Sequence, residues 1–268
     1  MAVPALLSLA LAFTRFDAVS PPRWSGLRNF TLLAADPRLG LAISNSFFYI
    51  ALAVPLRVLG ALLLALLLRE RRRGVGVYRA AVVLPTVIPD VAYALVWLWI
   101  FNPLYGPLNL LLGALGLPTP AWLVNAETAK PALVFMSVFQ IGEGFVLLLA
   151  GLHSLPRDYY ASAAVDGASR WQMFRAITLP LLAPWLALLT VRDVILSFQT
   201  TFTPAYIMTG GDPYYATLFL PLLVFKEAFD NFRFGNGAAL MTVLFLTTAV
   251  LIGALLLTYR GWLNADDH

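Results

Sequence analysis

The sequence predicts an all-α, polytopic membrane protein, and three observations carry that prediction. The 268 residues are 60% hydrophobic, with a mean hydropathy of +0.79. Only 12% are charged, about half the roughly 25% usual in soluble domains, so there is too little charge to cover a water-facing surface. The apolar residues also fall in runs close to the ~20 that a helix needs to cross a bilayer. A net charge of +4 then reads as membrane topology. Basic residues nowhere interleave with aromatics along a polar face, so no nucleic-acid partner is expected. The absence of cysteine excludes disulfides, thiolate metal sites and cysteine nucleophiles. His153 and His268 are too few and too far apart for a metal cluster.

Taken in order, Met1 to Phe13 is apolar but shorter than a span, and it lacks the basic start of a signal peptide. It is read as part of a first span whose beginning is truncated, with a short interfacial segment as the alternative. Five full spans are expected after it. Residues 47–68 form one, interrupted by Arg57. Residues 80–101 form the next and contain Pro85, Pro89 and Asp90. The run 131–152 holds Gln140 and Glu143, and 179–208 includes Pro180, Pro184, Arg192 and Asp193. The last, 238–257, is broken only by threonines. Prolines are admissible in such helices because neighbouring groups can satisfy the freed carbonyls. Residues 1–268 thus read as a single transmembrane domain.

Orientation follows from basic residues in short loops. Arg69, Arg71, Arg72 and Arg73, with Arg79 just beyond, place the loop before residue 80 in the cytoplasm. Alternation then puts 102–130 outside, 153–178 inside, 209–237 outside and the Arg260 tail inside. The segment 14–43 holds Arg15, Arg23, Arg28 and Arg38, so the Arg69 cluster carries the assignment. Tyr214, Tyr215, Phe229 and Phe232 fall on the outer side, where they could stack on a ligand or pack against a partner or the scaffold.

The longest cytoplasmic loop, 153–178, is unusual in so apolar a chain. Pro156 suits a first helical turn, and Tyr159 to Val165 are good helix formers. Asp166-Gly167 reads as a break, since Gly takes the positive φ that ends a helix. A second helix places Trp171, Phe174 and Ile177 on one stripe, with Pro180 marking entry to the next span. The result is a helix–turn–helix lying under the membrane. Two functions fit it. One is an interfacial amphipathic hairpin. The other is a docking element for a cytosolic partner, with Ala161, Ser162, Ala163 and Ala164 allowing close approach and Trp171 and Phe174 as anchors.

These residues carry a resemblance. Asp166-Gly167-Ala168 and Ile177-Thr178-Leu179-Pro180 stand at the spacing of the EAA loop in membrane subunits of binding-protein-dependent ATP-binding-cassette importers. Trp24 to Asp36 looks like the family's GL-NY segment, Leu84-Pro85 to Pro89 its LP--IP, and Trp97 to Asn109 its W-W-FNP-YG--N. Tyr206 to Pro213 is similar to V-TGGGP, and Ala228-Phe229 to Ala239 to AF----FGYAAAL. Six segments in order resemble most the sugar-permease branch, the relatives of the maltose and glycerol-3-phosphate permeases. Ala161 and Ser162 stand where the pattern has Glu and Ala, and Asp212 replaces its third Gly.

The resemblance implies the type I importer fold, with this chain as half of a translocation pore in a bacterial or archaeal cytoplasmic membrane. It implies a second, distinct permease subunit, two cytosolic ATPases and an extracytoplasmic binding protein that delivers a carbohydrate, polyol or sugar phosphate. The ATPases would dock on the loop through Tyr159, Ala161, Ser162, Ala163, Asp166, Gly167, Ala168, Trp171, Phe174, Ile177, Leu179 and Pro180. ATP would be bound and hydrolysed by the partners, since this chain has no Gly-rich Lys-Ser/Thr phosphate loop. No cofactor and no enzymatic activity are expected of the chain itself.

A stand-alone ion-coupled transporter is the competing class, supported by the intramembrane set Arg57, Asp90, Glu143, Arg192 and Asp193. Ionisable groups in a membrane are costly and mark pathways by default. The alternative is pairwise neutralisation, such as Glu143 with Arg57 or Arg192, which would only tie helices together. A secondary transporter needs two comparable repeats in one chain, and none is visible. A membrane-embedded enzyme using Glu143 and Asp193 is a weaker third class.

Overall fold

A computed structural model describes residues 2–70 and 72–263. Met1, Arg71, the side chain of Arg260 and the tail with His268 lie outside the described residues. The chain begins with α1 (Ala2–Leu11), then a two-stranded ribbon of β1 (Thr14–Arg15) and β2 (Arg23–Trp24), paired antiparallel. The short helix α2 (Arg28–Ala34) leads into α3 (Pro37–Leu67), which at 31 residues is about 46 Å long. Asp36 caps α3 by accepting from the Arg38 N–H at 2.9 Å. The guanidinium of Arg38 also lies on Asp36 and holds its carboxyl below the ordinary range.

The second predicted span is therefore longer than 47–68, and the third is not one straight helix. It divides into α4 (Val75–Val87) and α5 (Asp90–Ile100), which meet at 101°. Pro89 explains the break: it disfavours helical backbone at Ile88, which is extended at ψ 129°, and it has no N–H to continue the ladder. The short α6 (Pro107–Ala114) follows. The fourth span is likewise a bent pair, α7 (Ala126–Ser137) and α8 (Gly142–Ser154), at 44°. Gly142 lies on the Val83 backbone of α4, where an added Cβ would meet Cα at 2.8 Å, so only glycine allows that crossing.

After α9 (Arg157–Val165) comes α10 (Arg170–Thr209), a continuous helix of 40 residues. This corrects the expectation that a separate loop helix ends at Pro180. The ring instead lies beside a π-helical turn, Phe174–Thr178, a local widening that absorbs the missing N–H. The chain closes with α11 (Leu220–Phe225) and α12 (Phe234–Leu263). Among the described residues α3, α10 and α12 are long and apolar enough to span, or five elements do if each bent pair counts as one. At ten residues, α1 alone is about half a span.

Two hydrophobic cores result. The larger unites α3, α5, α7, α10, α11 and α12 around Tyr49, Phe101, Phe198 and Phe219. The smaller, toward the Arg69 end, gathers Ala61, Phe145, Leu148, Leu182 and Leu189 from α3, α8 and α10. The segment 209–237, expected as an external loop, folds back in. Leu218 to Leu220, Leu222 and Leu223 are among the most buried side chains of the protein. Polar groups on α3 hold it there. Asn45 donates to the carbonyls of Tyr215 and Leu218 at 2.8 and 3.0 Å, and Ser46 Oγ accepts from the Leu220 N–H at 3.0 Å. Asn45→Ala should strand the buried Leu218 carbonyl and release that of Tyr215, at a cost of about 1–3 kcal/mol, read as a lower melting temperature with membrane insertion unchanged.

Several resembling segments serve this scaffold. Asn29 donates to the carbonyls of Ala12 and Thr14, each at 2.8 Å, bolting the amino-terminal segment to α2. Asn109 donates to Pro103 and Pro120 carbonyls and accepts from Trp122 Nε1 at 2.8 Å. Gly237 crosses Ala228 so closely that a Cβ would come to 2.7 Å.

Candidate functional site

The 157–173 hairpin is built by local chemistry. Its turn is a Schellman motif: the Ala168 N–H donates to the Ala163 carbonyl at 2.9 Å and the Gly167 N–H to Ala164 at 3.2 Å. Gly167 sits at φ +77°, with nothing within 4 Å of an added Cβ. Ser169 then opens α10 with a reciprocal capping box to Gln172. That S-x-x-Q pair was legible in the sequence but not used.

Of the predicted loop residues, Tyr159, Ala161, Ser162, Asp166, Gly167 and Trp171 are exposed. Ala163, Ala168, Phe174, Ile177, Leu179 and Pro180 are half-buried. Trp171 stacks on Phe174 with ring centroids 5.5 Å apart, yet remains 67% exposed. Tyr159 and Val165 are exposed as well, so the hairpin presents apolar side chains that nothing among the described residues covers. Tyr160, which the sequence reading passed over, faces the other way. Its hydroxyl is 3.0 Å from the buried Thr178 Oγ1, and its ring lies under the Arg69 guanidinium at 5.3 Å. It seats the hairpin on the ends of α3 and α10.

The intramembrane charges are drawn together from three helices. Arg57 of α3 has Nε 3.1 Å from Asp193 Oδ2 of α10, and its Nη2 donates to Ser197 Oγ at 2.6 Å. Asp193 and Ser197 are four residues apart and share a helix face, so one turn of α10 supplies both acceptors. Arg57 Nε has no aligned hydrogen bond despite its proximity to the carboxylate. Arg192 pairs with Glu143 of α8 and lies 3.7 Å from Asp193 Oδ1. The neighbours Arg192 and Asp193, about 100° apart on the helix, thus take different partners in one balanced chain, Arg57–Asp193–Arg192–Glu143. Arg57 and Asp193 are buried, and the Glu143 side chain is 61% exposed. The chain marks the seam between the two cores, since Val54 and Val194 belong to the larger and Ala61 and Leu189 to the smaller. Asp90 is separate: it stands exposed at the start of α5 and forms no ion pair among the described residues.

At the end of α10 far from the hairpin, the turn that follows carries Gly210 and Gly211 at φ +62° and +94°. Tyr214, Tyr215, Phe229 and Phe232 are all exposed. A cleft of about 640 Å³ opens between Trp99, Tyr105, Asn102 and Asp212. Among the described residues no group of three or more His, Cys, Asp or Glu is placed to hold a metal.

Bent and continuous apolar helices around a polar seam, with a hairpin projecting from one end, define the membrane component of a transport system. Residues 32–260 match the family described as the binding-protein-dependent transport system inner membrane component. The chain belongs to that family. It is 35% identical over 270 residues to the probable ABC transporter permease protein YesP of Bacillus subtilis, covering 99% of this chain and 87% of the relative. It is 35% identical over 224 residues to the trehalose/maltose transport system permease protein MalF of Thermococcus litoralis, covering 82% and 75%. The sn-glycerol-3-phosphate permease protein UgpA of Brucella abortus is 31% identical over 245 residues, covering 90% and 83%. The fold matches a bacterial ABC transporter involved in import of the acidic polysaccharide alginate, with a TM-score of 0.82 at 23% identity over 96% of this chain and 89% of that one. The chain is a membrane permease component of the importer type, and the sugar-permease branch is its place in the family.

Proposed function

We propose that this chain forms half of the translocation pore of an ATP-driven importer for a carbohydrate or a related polyol or sugar phosphate. A second, distinct permease completes the pore, two cytosolic ATPases dock on the 157–173 hairpin, and an extracytoplasmic binding protein delivers the substrate. The observation that carries the reading is the continuity of α10. One helix runs from the exposed, apolar hairpin to Arg192 and Asp193, a separation of about 35 Å. ATPase closure on Trp171 and its neighbours would therefore displace the charged seam directly. Relatives named for trehalose/maltose and sn-glycerol-3-phosphate transport support the substrate class. So does the outer cleft, where Trp99 and Tyr105 offer ring faces beside Asn102 and Asp212. In this reading the Arg69 end faces the cytoplasm.

Purified alone in liposomes, the chain should neither hydrolyse ATP nor take up sugar, and uptake driven by a proton or sodium gradient would overturn the proposal. Glu143 separates two roles for the seam. Glu143→Gln removes the charge that pairs with Arg192 while keeping the side chain's shape, so the two roles give different readouts. If the residue lines the pathway, uptake per assembled complex should fall. Constant uptake per complex with less assembled protein would make Glu143 a helix tie only.

A further inference from the structure

A concavity of about 650 Å³ lies where α3 ends, between Arg69, Glu70 and Arg72, Tyr160 of α9 and the first turns of α10. Of the docking residues named above only Phe174 reaches it, on its apolar wall. We propose that it binds the headgroup of one anionic phospholipid from the cytoplasmic leaflet, bracing the hairpin against α3. The proposal rests on the reading that this end of the molecule faces the cytoplasm.

Charge is the first support. Arg69, Arg72 and Arg170 line the site with a single carboxylate, Glu70. Arg72 takes that carboxylate, with Nε and Nη2 donating to Oε2 at 3.0 and 2.5 Å. Three guanidinium charges less one carboxylate leave a charge of +2, and among the described residues Arg69 and Arg170 form no ion pair. The cations converge in space: Arg72 above all, then Arg170 and Arg69, pull the Glu70 carboxyl below its ordinary range. Level is the second support. The apolar run of α3 stops at Leu68, so the arginines that follow stand at headgroup depth. Arg79 fixes that end by donating to the Leu68 carbonyl at 3.1 and 2.7 Å. Shape is the third. The charged rim sits over an apolar wall of Leu66, Leu67, Met173 and Phe174, a surface matched to the glycerol and first methylenes of a lipid. Inorganic phosphate would have no use for that wall. Basic clusters just cytoplasmic of a span are drawn to the anionic leaflet in general; here they border a cavity that joins two elements.

The test uses the assembled complex of this chain with its partner permease and ATPases, purified from membranes containing phosphatidylglycerol and phosphatidylcholine. Native mass spectrometry should show one retained phosphatidylglycerol on this chain. Arg69→Ala with Arg170→Ala should lower that occupancy by about tenfold. Arg69→Lys with Arg170→Lys should restore much of it. Equal retention by wild type and the alanine pair would overturn the site, as would equal retention of phosphatidylcholine. Displacement of the lipid by millimolar inorganic phosphate would make it a free-phosphate site and overturn the lipid assignment. Carbodiimide cross-linking of the Arg69→Lys variant to an acidic ATPase residue in the assembled complex, with no lipid retained, would assign the pocket to the ATPase instead. Co-purification of the ATPases is read on the same samples. Its absence in wild type sinks the importer reading, whereas unchanged lipid retention in an assembled alanine pair sinks only this site.

Discussion

Asp193→Ala should lower the melting temperature of the solubilised complex by on the order of 10 °C, the largest stability effect of any single substitution considered for this chain. Among the described residues Asp193 is the only carboxylate within ion-pair distance of Arg57, at 3.1 Å, and both residues are 8% exposed. A guanidinium cannot shed its proton in a protein, so removing the carboxylate leaves an unpaired cation between two apolar cores. Ser197 would remain as its single hydrogen-bond partner. Breaking a buried ion pair by removing one member costs about 3–5 kcal/mol, and a domain of this size shifts by roughly 2–4 °C per kcal/mol. Replacing both members separates stability from function. Arg57→Leu with Asp193→Leu removes the desolvation cost along with the attraction, so its stability should return to that of wild type or exceed it. If the seam moves during transport, that double variant should be stable, assembled and inactive. A stable double variant with normal uptake would show that the charges serve packing alone.

What the sequence made legible, and what it hid, follows from the range of each signal. The run 47–68 falls on α3, ending one residue past it, and 238–257 lies within α12, because a long apolar helix announces itself through composition over twenty residues. The bends within 80–101 and 131–152 are harder. Pro85, Pro89 and Gly142 were visible, but proline is admissible in a span, and only packing decides whether it kinks or is absorbed. Pro89 breaks the helix; Pro180 and Pro184 do not. The re-entry of 216–225 had a signal that was passed over. An apolar run of ten residues is too short to span and is the length expected of a buried or re-entrant helix. The charged seam was half legible. Four of its members could be named from their cost in a membrane, and Glu143 with Arg192 was among the pairs considered. That Arg57 takes Asp193 and Ser197, and that Asp90 stands apart, depends on the bend angles and on helix rotation, which no local pattern encodes. In the hairpin the Gly167 turn was clear, since its geometry is local. Tyr160 was not, because its partners Thr178 and Arg69 belong to two other elements.

Gly167→Val should insert and assemble with its partner permease yet lose ATPase association and transport. Gly167 sits at φ +77° and its surroundings are open, so a side chain there clashes with nothing. The penalty is conformational, about 1–2 kcal/mol for an L-residue in left-handed backbone and worst for a β-branched one. That is small against the burial that holds the spans, so the molecule survives, but the turn can relieve its strain by leaving the left-handed region. Doing so breaks the Ala168-to-Ala163 and Gly167-to-Ala164 hydrogen bonds and re-aims α9 relative to α10. The exposed Trp171 at the start of α10 would then be displaced relative to Tyr159 and Val165 of α9. Because α10 runs unbroken to the seam, a hairpin that fails to seat the ATPases cannot move Arg192 and Asp193. Gly167→Asn supplies the control: Asn is the non-glycine residue that best tolerates positive φ, so it should keep most of the uptake that Val abolishes. Trp171→Ala should weaken ATPase association more mildly, removing an anchor without bending the turn. With Ala161 in place of a carboxylate, association should also change little between low and high salt. Normal uptake by Gly167→Val with the ATPases still bound would show that the hairpin only rests on the membrane surface.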